Sequence, residues 1–114
     1  MVAARAAQNL KKTTLELGGS DAFIVLADAD MDLAIKHAVS GRMGNSGQAC
    51  TASKRFIVVE SLADRFLDMF SHALGKFHAG DPLDAHTTLA PLSSERALTT
   101  LLEQEVLELG TLAT

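Results

Sequence analysis

Residues 22–26 read Ala-Phe-Ile-Val-Leu, a continuous apolar run of strand length, and residues 56–59 read Phe-Ile-Val-Val, a second run of the same kind. Apolar runs without alternation are typical of parallel strands in a sheet that helices cover on both faces. The two runs therefore predict an α/β fold.

Helical patterns lie on either side of the first run. The Ala-rich residues 2–10 favour a helix because Ala has the highest helix propensity. Asp30 is placed to cap a second helix, which the Gly-Asn-Ser-Gly segment at 44–47 would end. The apolar residues that share one face of this second helix are Ile35, Val39 and Met43.

Two further helices are predicted after the second run. Ser61 and Asp64 resemble a capping box that opens the first of them. Its apolar stripe would consist of Leu62, Phe66, Phe70, Ala73 and Phe77. A surface loop is predicted at 78–92, and a last helix begins at Ser93. The apolar residues that this last helix is expected to turn toward a core are Leu98, Leu101, Leu102, Val106 and Leu109.

A short strand is also predicted at 13–17, because Leu15 and Leu17 alternate with polar residues before a turn at Gly18 and Gly19. The sheet would then have about three strands, against roughly 5–6 in a typical sheet. We therefore expect an incomplete parallel sheet with flanking helices, which is part of a larger fold or associates to cover its edges.

The composition excludes several classes of protein. The 114 residues include 10 Lys and Arg against 14 Asp and Glu, and a net charge of -4 offers no basic surface to nucleic acid. A hydrophobic fraction of 47% argues against disorder. One Cys cannot form an internal disulfide, which favours a reducing compartment, and no stretch approaches the ~20 apolar residues of a membrane span. We expect a cytoplasmic chain with neither nucleic acid nor membrane as a partner.

Cys50 is a candidate nucleophile because it follows the glycine-rich segment 44–47. A thiol becomes a useful nucleophile when it is partly exposed and lies near backbone N–H groups or cations. Free Cys is also among the most buried residue types, so a role as core filler is the alternative.

Glu16 is a candidate general base because it interrupts the apolar alternation next to two glycines. A carboxylate at the end of a strand, beside flexible backbone, can be desolvated enough to accept a proton. The alternative is a solvated residue on the polar face of the strand.

The two candidates together carry a family resemblance. Residues 15–25 (LELGGSDAFIV) and 44–60 (GNSGQACTASKRFIVVE) resemble the aldehyde dehydrogenase superfamily, in which a glutamate in an E-L-G-G motif and a cysteine in a G-Q-x-C motif form the catalytic pair. Here the motifs occupy 16–19 and 47–50, in the order and at the spacing of the family. The resemblance extends to about Glu103, and the sequence around the motifs is most similar to the succinate-semialdehyde dehydrogenase branch.

The resemblance implies NAD(P)-dependent oxidation of an aldehyde, such as succinate semialdehyde, to a carboxylate. Cys50 would attack the carbonyl carbon to give a thiohemiacetal, hydride would pass to NAD or NADP, and Glu16 would activate the water that hydrolyses the resulting thioester. The backbone N–H of the cysteine would help to bind the oxyanion. The residues that would lie against the cofactor are Leu17, Gly18 and Gly19, where glycine lets the backbone approach closely.

Other positions follow the family pattern or depart from it. Asn45, Gly47 and Gln48 would support the loop that carries Cys50. Ala22 stands where the family usually has proline, which should loosen the entry to the strand. The sequence holds no G-x-G-x-x-G or P-loop pattern for cofactor phosphates, and the family's oxyanion asparagine and ribose-binding glutamate do not occur in it.

The resemblance assigns residues 1–17 to the tail of the cofactor-binding domain and residues 18–114 to the N-terminal part of the catalytic domain. We expect little or no turnover from the isolated chain, because catalysis needs preorganised partners. The expected partners are a small aldehyde and either further copies of the chain or the missing parts of the fold. The alternative is a non-catalytic truncated fragment that associates with itself or with a full-length relative, and a cysteine-based redox sensor ranks after both.

The loop at 78–92 contains His78, Asp81, Asp84 and His86. Their spacing matches no known zinc pattern, and carboxylates are ordinary in turns. The sequence therefore predicts no metal site.

Overall fold

The computed structural model describes residues 1–112 of the chain, with side chains described as far as residue 105. The elements follow in the order α1 (Val2–Ala7), β1 (Asp21–Val25), α2 (Met31–Met43), a 3-10 turn (Gly44–Gly47), β2 (Ser53–Val58), α3 (Glu60–Leu74) and α4 (Glu95–Leu112). None of the helices in this part of the chain combines the length and apolarity needed to cross a bilayer.

The sheet of the described residues consists of two parallel strands, β1 and β2. Phe23 pairs with Phe56 and Val25 with Val58, so the two apolar runs lie side by side in register. The prediction of an α/β fold with an incomplete parallel sheet and flanking helices is confirmed.

One face of this sheet carries the hydrophobic core, against which α2 and α3 both pack. The buried residues of the cluster are Val25, Met31, Ile35, Ala38 and Phe66. The ring of Phe56 on β2 lies 5.8 Å from that of Phe66 and 4.8 Å from that of Phe70, between ring centroids. The predicted apolar stripe of α3 is confirmed for its helical residues, whereas Phe77 lies beyond the end of the helix.

The opposite face of the sheet is not covered by the described residues. Ile24 is 62% exposed, and Leu26 and Ile57 are also exposed. Among the described residues the helices therefore cover one face of the sheet, because α2 and α3 lie on the same side.

The predicted strand at 13–17 is absent from the described structure. Residues 11–20 are irregular, and none of the described backbone hydrogen bonds involves residues 12–18. Leu15 and Leu17 are exposed. A strand requires a hydrogen-bonding neighbour, and β1 and β2 pair with each other rather than with this segment.

The helix starts agree only in part with the predictions. The Asp30 carboxylate accepts a hydrogen bond of 3.0 Å from the backbone N–H of Leu33, so the predicted cap of α2 is confirmed. The capping box at Ser61 is wrong, because α3 starts at Glu60 and its cap position, Val59, makes no side-chain hydrogen bond. The predicted helix at 2–10 ends at Ala7 and continues as a turn.

The leucines of α4 whose side chains are described do not reach a core. Leu98, Leu101 and Leu102 are each about half exposed. The core is already filled by α2 and α3, and α4 borders open clefts instead. The side chains of Val106 and Leu109 lie outside the described residues.

Candidate functional site

The backbone just before Cys50 is left-handed over three consecutive residues. The φ angles of Asn45, Ser46 and Gly47 are 53°, 56° and 76°. Glycine adopts such angles freely and asparagine tolerates them, whereas serine has no such preference. The chain therefore reverses sharply at the end of α2 and carries Cys50 away from the helix.

Side chains of the turn close it internally. The Asn45 side-chain amide donates to the Gln48 carbonyl at 3.3 Å. The Gln48 backbone N–H and its side-chain amide both donate to the Asn45 carbonyl at 3.1 Å. Asn45 and Gln48, both predicted to support the loop, thus bond to each other across Ser46 and Gly47.

The same turn is fastened to a distant segment of the chain. The Ser46 hydroxyl donates to the Ala90 carbonyl at 2.7 Å, and the Ser93 backbone N–H donates to the Gln48 side-chain oxygen at 2.7 Å. Sequence reasoning missed Ser46, because its partner is a backbone atom 44 positions away that leaves no side-chain signal.

Arg42 belongs to the last turn of α2, and its side chain extends over the turn at 44–47. A Cβ built on Gly47 would lie 2.6 Å from the Arg42 Nη2 and 3.1 Å from the Arg42 carbonyl oxygen, so a side chain there would displace the guanidinium. The Arg42 Nη1 also donates to the Ser53 carbonyl at 3.5 Å. Arg42 therefore contacts the chain on both sides of Cys50.

Cys50 itself is exposed. The residues that follow it turn inward, since Ala52 is 1% and Ser53 is 8% exposed. The thiol is therefore outside the core, on a short segment that is held before and after it. An exposed thiol on such a segment can attack an electrophile that arrives from solvent.

The segment that follows Glu16 lies beside the segment that carries Cys50. The Lys54 ammonium donates to the Gly19 carbonyl, and the Arg55 Nε donates to the Ser20 carbonyl at 3.0 Å. A Cβ built on Gly19 would lie 3.9 Å from the Cys50 carbonyl oxygen. Because β1 and β2 are parallel, the two motifs enter the sheet at the same edge. Sequence reasoning missed Lys54 and Arg55, although two cationic side chains at the start of an apolar strand can be recognised in the sequence.

Glu16, Leu17 and Gly18 lie farther out, in the irregular segment 11–20, and are exposed. None of the described hydrogen bonds involves these three residues. Gly18 has a φ of 89°, and a Cβ there would meet no atom within 4 Å. The described contacts thus join the backbones of Gly19 and Cys50, not the Glu16 carboxylate and the thiol.

A cleft of about 430 Å³ lies between the turn and α4. Arg42, Gln48, Arg96 and Leu101 are among its lining residues, and Cys50 is not. Among the side chains of residues 1–105, no group of three or more His, Cys, Asp or Glu residues is arranged to hold a metal ion.

The chain is similar to known proteins over nearly its whole length. Residues 1–108 match the Aldehyde dehydrogenase family. It is 51% identical over 96 residues to the succinate-semialdehyde dehydrogenase (NADP(+)) of Deinococcus radiodurans, covering 84% of this chain and 20% of the relative. It is 50% identical over 92 residues to the succinate semialdehyde dehydrogenase (NAD(P)+) Sad of Escherichia coli, covering 81% of this chain and 20% of the relative. The chain spans about a fifth of the length of these curated relatives.

Solved structures give the same picture. The succinic semialdehyde dehydrogenase of Streptococcus pyogenes in complex with NADP+ superposes with a TM-score of 0.88 at 50% identity, covering 96% of this chain and 24% of that one. An NAD+ complex of an aldehyde dehydrogenase from Bacillus cereus superposes with a TM-score of 0.83 at 31% identity, covering 90% of this chain and 21% of that one.

Proposed function

The chain belongs to the aldehyde dehydrogenase family, and on that premise we propose that it supplies the nucleophile and the general base of an NAD(P)-dependent aldehyde dehydrogenase. The observation that carries the proposal is the exposed Cys50 just after the fastened turn at 44–47, with Gly19 of the E-L-G-G motif near its carbonyl. Succinate semialdehyde is the proposed substrate, because relatives about 50% identical to this chain bear that name.

The roles of the two reactive residues follow from their chemistry. The Cys50 thiol gives up its proton to solvent, its sulfur forms a bond to the aldehyde carbon as the carbonyl π bond opens, and the backbone N–H of Cys50 donates to the oxyanion that results. After oxidation the acyl group is held on Cys50 as a thioester. Glu16 takes a proton from water, which attacks the thioester carbon and releases the acid and the free thiol.

The nicotinamide, when bound, supplies the acceptor for the hydride that leaves the thiohemiacetal carbon. Leu17, Gly18 and Gly19 are the residues proposed to lie against it. The open space beside Gly18 and the exposure of Leu17 fit this role, since both leave room for a flat ring to approach the backbone.

The wider context of the site is also a proposal. Residues 1–17 are assigned to the tail of a cofactor-binding domain, and residues 18–114 to the first part of a catalytic domain. Association with further copies of the chain or with the remaining parts of the fold would cover the exposed sheet face at Ile24 and Ile57.

A chimera tests the proposed reaction. Residues 1–108 of this chain replace the matching segment of the Escherichia coli relative, and formation of NADPH from succinate semialdehyde is followed by absorbance. We expect turnover by the chimera, none after Cys50→Ala, and unchanged turnover after Ser61→Ala, which alters an exposed serine of α3. Turnover that survives Cys50→Ala would refute the role of Cys50.

The isolated 114-residue chain is expected to show little or no turnover. The sequence contains no pattern for holding the cofactor phosphates, so the aldehyde and the cofactor would not be brought together. The check is NADPH formation at high chain concentration with small aldehydes. Clear turnover that Cys50→Ala abolishes would contradict this expectation.

A further inference from the structure

Ser46 occupies a conformation that its own chemistry does not favour. Its φ is 56°, between Asn45 and Gly47, which are the residue types suited to left-handed backbone. A residue with a Cβ persists in that region only where the surrounding structure holds it there. The contacts of Ser46, rather than its own backbone preference, therefore hold it in the left-handed conformation.

Two short hydrogen bonds tie this turn to the segment before α4. The Ser46 hydroxyl donates to the Ala90 carbonyl, and the Gln48 side-chain oxygen accepts from the Ser93 N–H, each at 2.7 Å. We call this pair of bonds the latch. Ser46 is half-buried in the described structure. The latch acts on both sides of Gly47, so it opposes relaxation of the turn.

We propose that Ser46 is a positioning residue for Cys50: its hydroxyl holds the left-handed turn against residues 90–93 and thereby fixes where the thiol is presented. This role rests on the proposed function, in which Cys50 is the nucleophile. On the opposite side of Cys50, Arg42 donates to the Ser53 carbonyl, and Asp21 of β1 pairs with Ser53. Preorganisation of the nucleophile before the aldehyde arrives is the benefit of such an arrangement.

A nitroxide attached to Cys50 tests the proposal on the full chain. Cys50 is the only cysteine and is exposed, so no other residue has to be changed for labelling. The electron paramagnetic resonance spectrum of the label then reports how freely the segment moves. In Ser46→Ala the hydroxyl is lost while the unfavourable Cβ remains, and we expect the mobile fraction of the label to rise about fivefold. In Ser46→Gly the left-handed turn no longer needs holding, so we expect a mobile fraction between wild type and alanine.

The matched control is Ser61→Ala, an exposed serine in the first turn of α3, which should leave the spectrum unchanged. A serine that serves stability alone would shift the urea midpoint but leave the spectrum of the folded chain as it is, and that result would overturn the proposal. A glycine variant more mobile than the alanine variant would also overturn it, as would a wild-type label as mobile in buffer as in urea. The measurement uses neither aldehyde nor cofactor, so its outcome is independent of the chimera's activity.

Discussion

At the scale of single residues, the position of Gly47 shows how closely the turn before Cys50 is built. Its φ of 76° suits glycine, and the Arg42 guanidinium lies where a side chain would have to go. The motif residues are proposed from the sequence, because the family resemblance supplies their types and spacing. Ser46 and Arg42 could not be placed this way, because each bonds to a backbone carbonyl that any residue would supply.

Replacement of Gly47 by alanine should destabilise the chain by about 1–2 kcal/mol, because a Cβ is disfavoured at positive φ and would also displace Arg42. The free energy of unfolding in urea, followed by circular dichroism, measures this. Gly44→Ala is the control, since a Cβ at Gly44 meets no atom within 4 Å and its φ is -53°. Equal effects of the two substitutions would show that the turn does not require glycine at residue 47.

At the scale of elements, the presence of two apolar strands and of the helices around them could be predicted from the sequence, whereas which of their apolar residues are buried could not. The apolar residues of β1, β2, α2 and α3 that face the core pack against one another, whereas Ile24 and Ile57 on the other face of the sheet are exposed. The segment 13–17 has a strand pattern but no strand beside it, and the described leucines of α4 stay about half exposed. A sequence pattern indicates which residues of a segment can be buried. Whether they are buried depends on an apolar surface that other parts of the fold provide.

The cap of α2 gives a test at this scale. Asp30→Ala removes the acceptor for the Leu33 N–H and should cost about 1 kcal/mol of unfolding free energy. Asp30→Asn should keep most of the stability, because its side-chain oxygen can accept the same bond. Asp28→Ala, at an exposed position outside the helix, serves as the control. A loss in Asp30→Asn as large as that in Asp30→Ala would contradict the capping account.

The packing of α3 gives a second test. Phe66 is 5% exposed and its ring lies 5.4 Å from that of Phe70, so Phe66→Ala should destabilise the chain by about 3–5 kcal/mol. Leu67, next to it but 61% exposed, should tolerate alanine with a change within about 0.5 kcal/mol. Urea unfolding of the two variants is the measurement. A cost at Leu67 equal to that at Phe66 would place the core on the wrong face of α3.

At the scale of the whole molecule, the chain is more extended than a compact domain of its size. Its radius of gyration is 18.1 Å, against about 13 Å for a compact domain of this length. The exposed side of the sheet and the half-exposed leucines of α4 give it apolar surface that its own elements do not cover. This uncovered apolar surface is what an incomplete sheet is expected to leave. It agrees with a chain that spans about a fifth of the length of its relatives.

We expect the isolated chain to self-associate through this uncovered sheet face. Sedimentation velocity should show assemblies larger than a monomer that grow with concentration. Ile24→Lys, which places a charge in the middle of the face, should weaken the association, whereas Leu83→Lys, in the exposed loop after α3, should not. Identical sedimentation of the two variants would rule out the sheet face as the contact.

The central claim is that Cys50 carries the acyl group and that Glu16 releases it. Intact-protein mass spectrometry tests this on the Glu16→Gln form of the chimera, quenched in acid after mixing with succinate semialdehyde and NADP. Because the base that activates water is gone, we predict that the protein accumulates the mass of one succinyl group and that peptide mapping locates it on Cys50. A succinyl group on another residue, or an acylated form that clears as fast as in the unsubstituted chimera, would contradict the account.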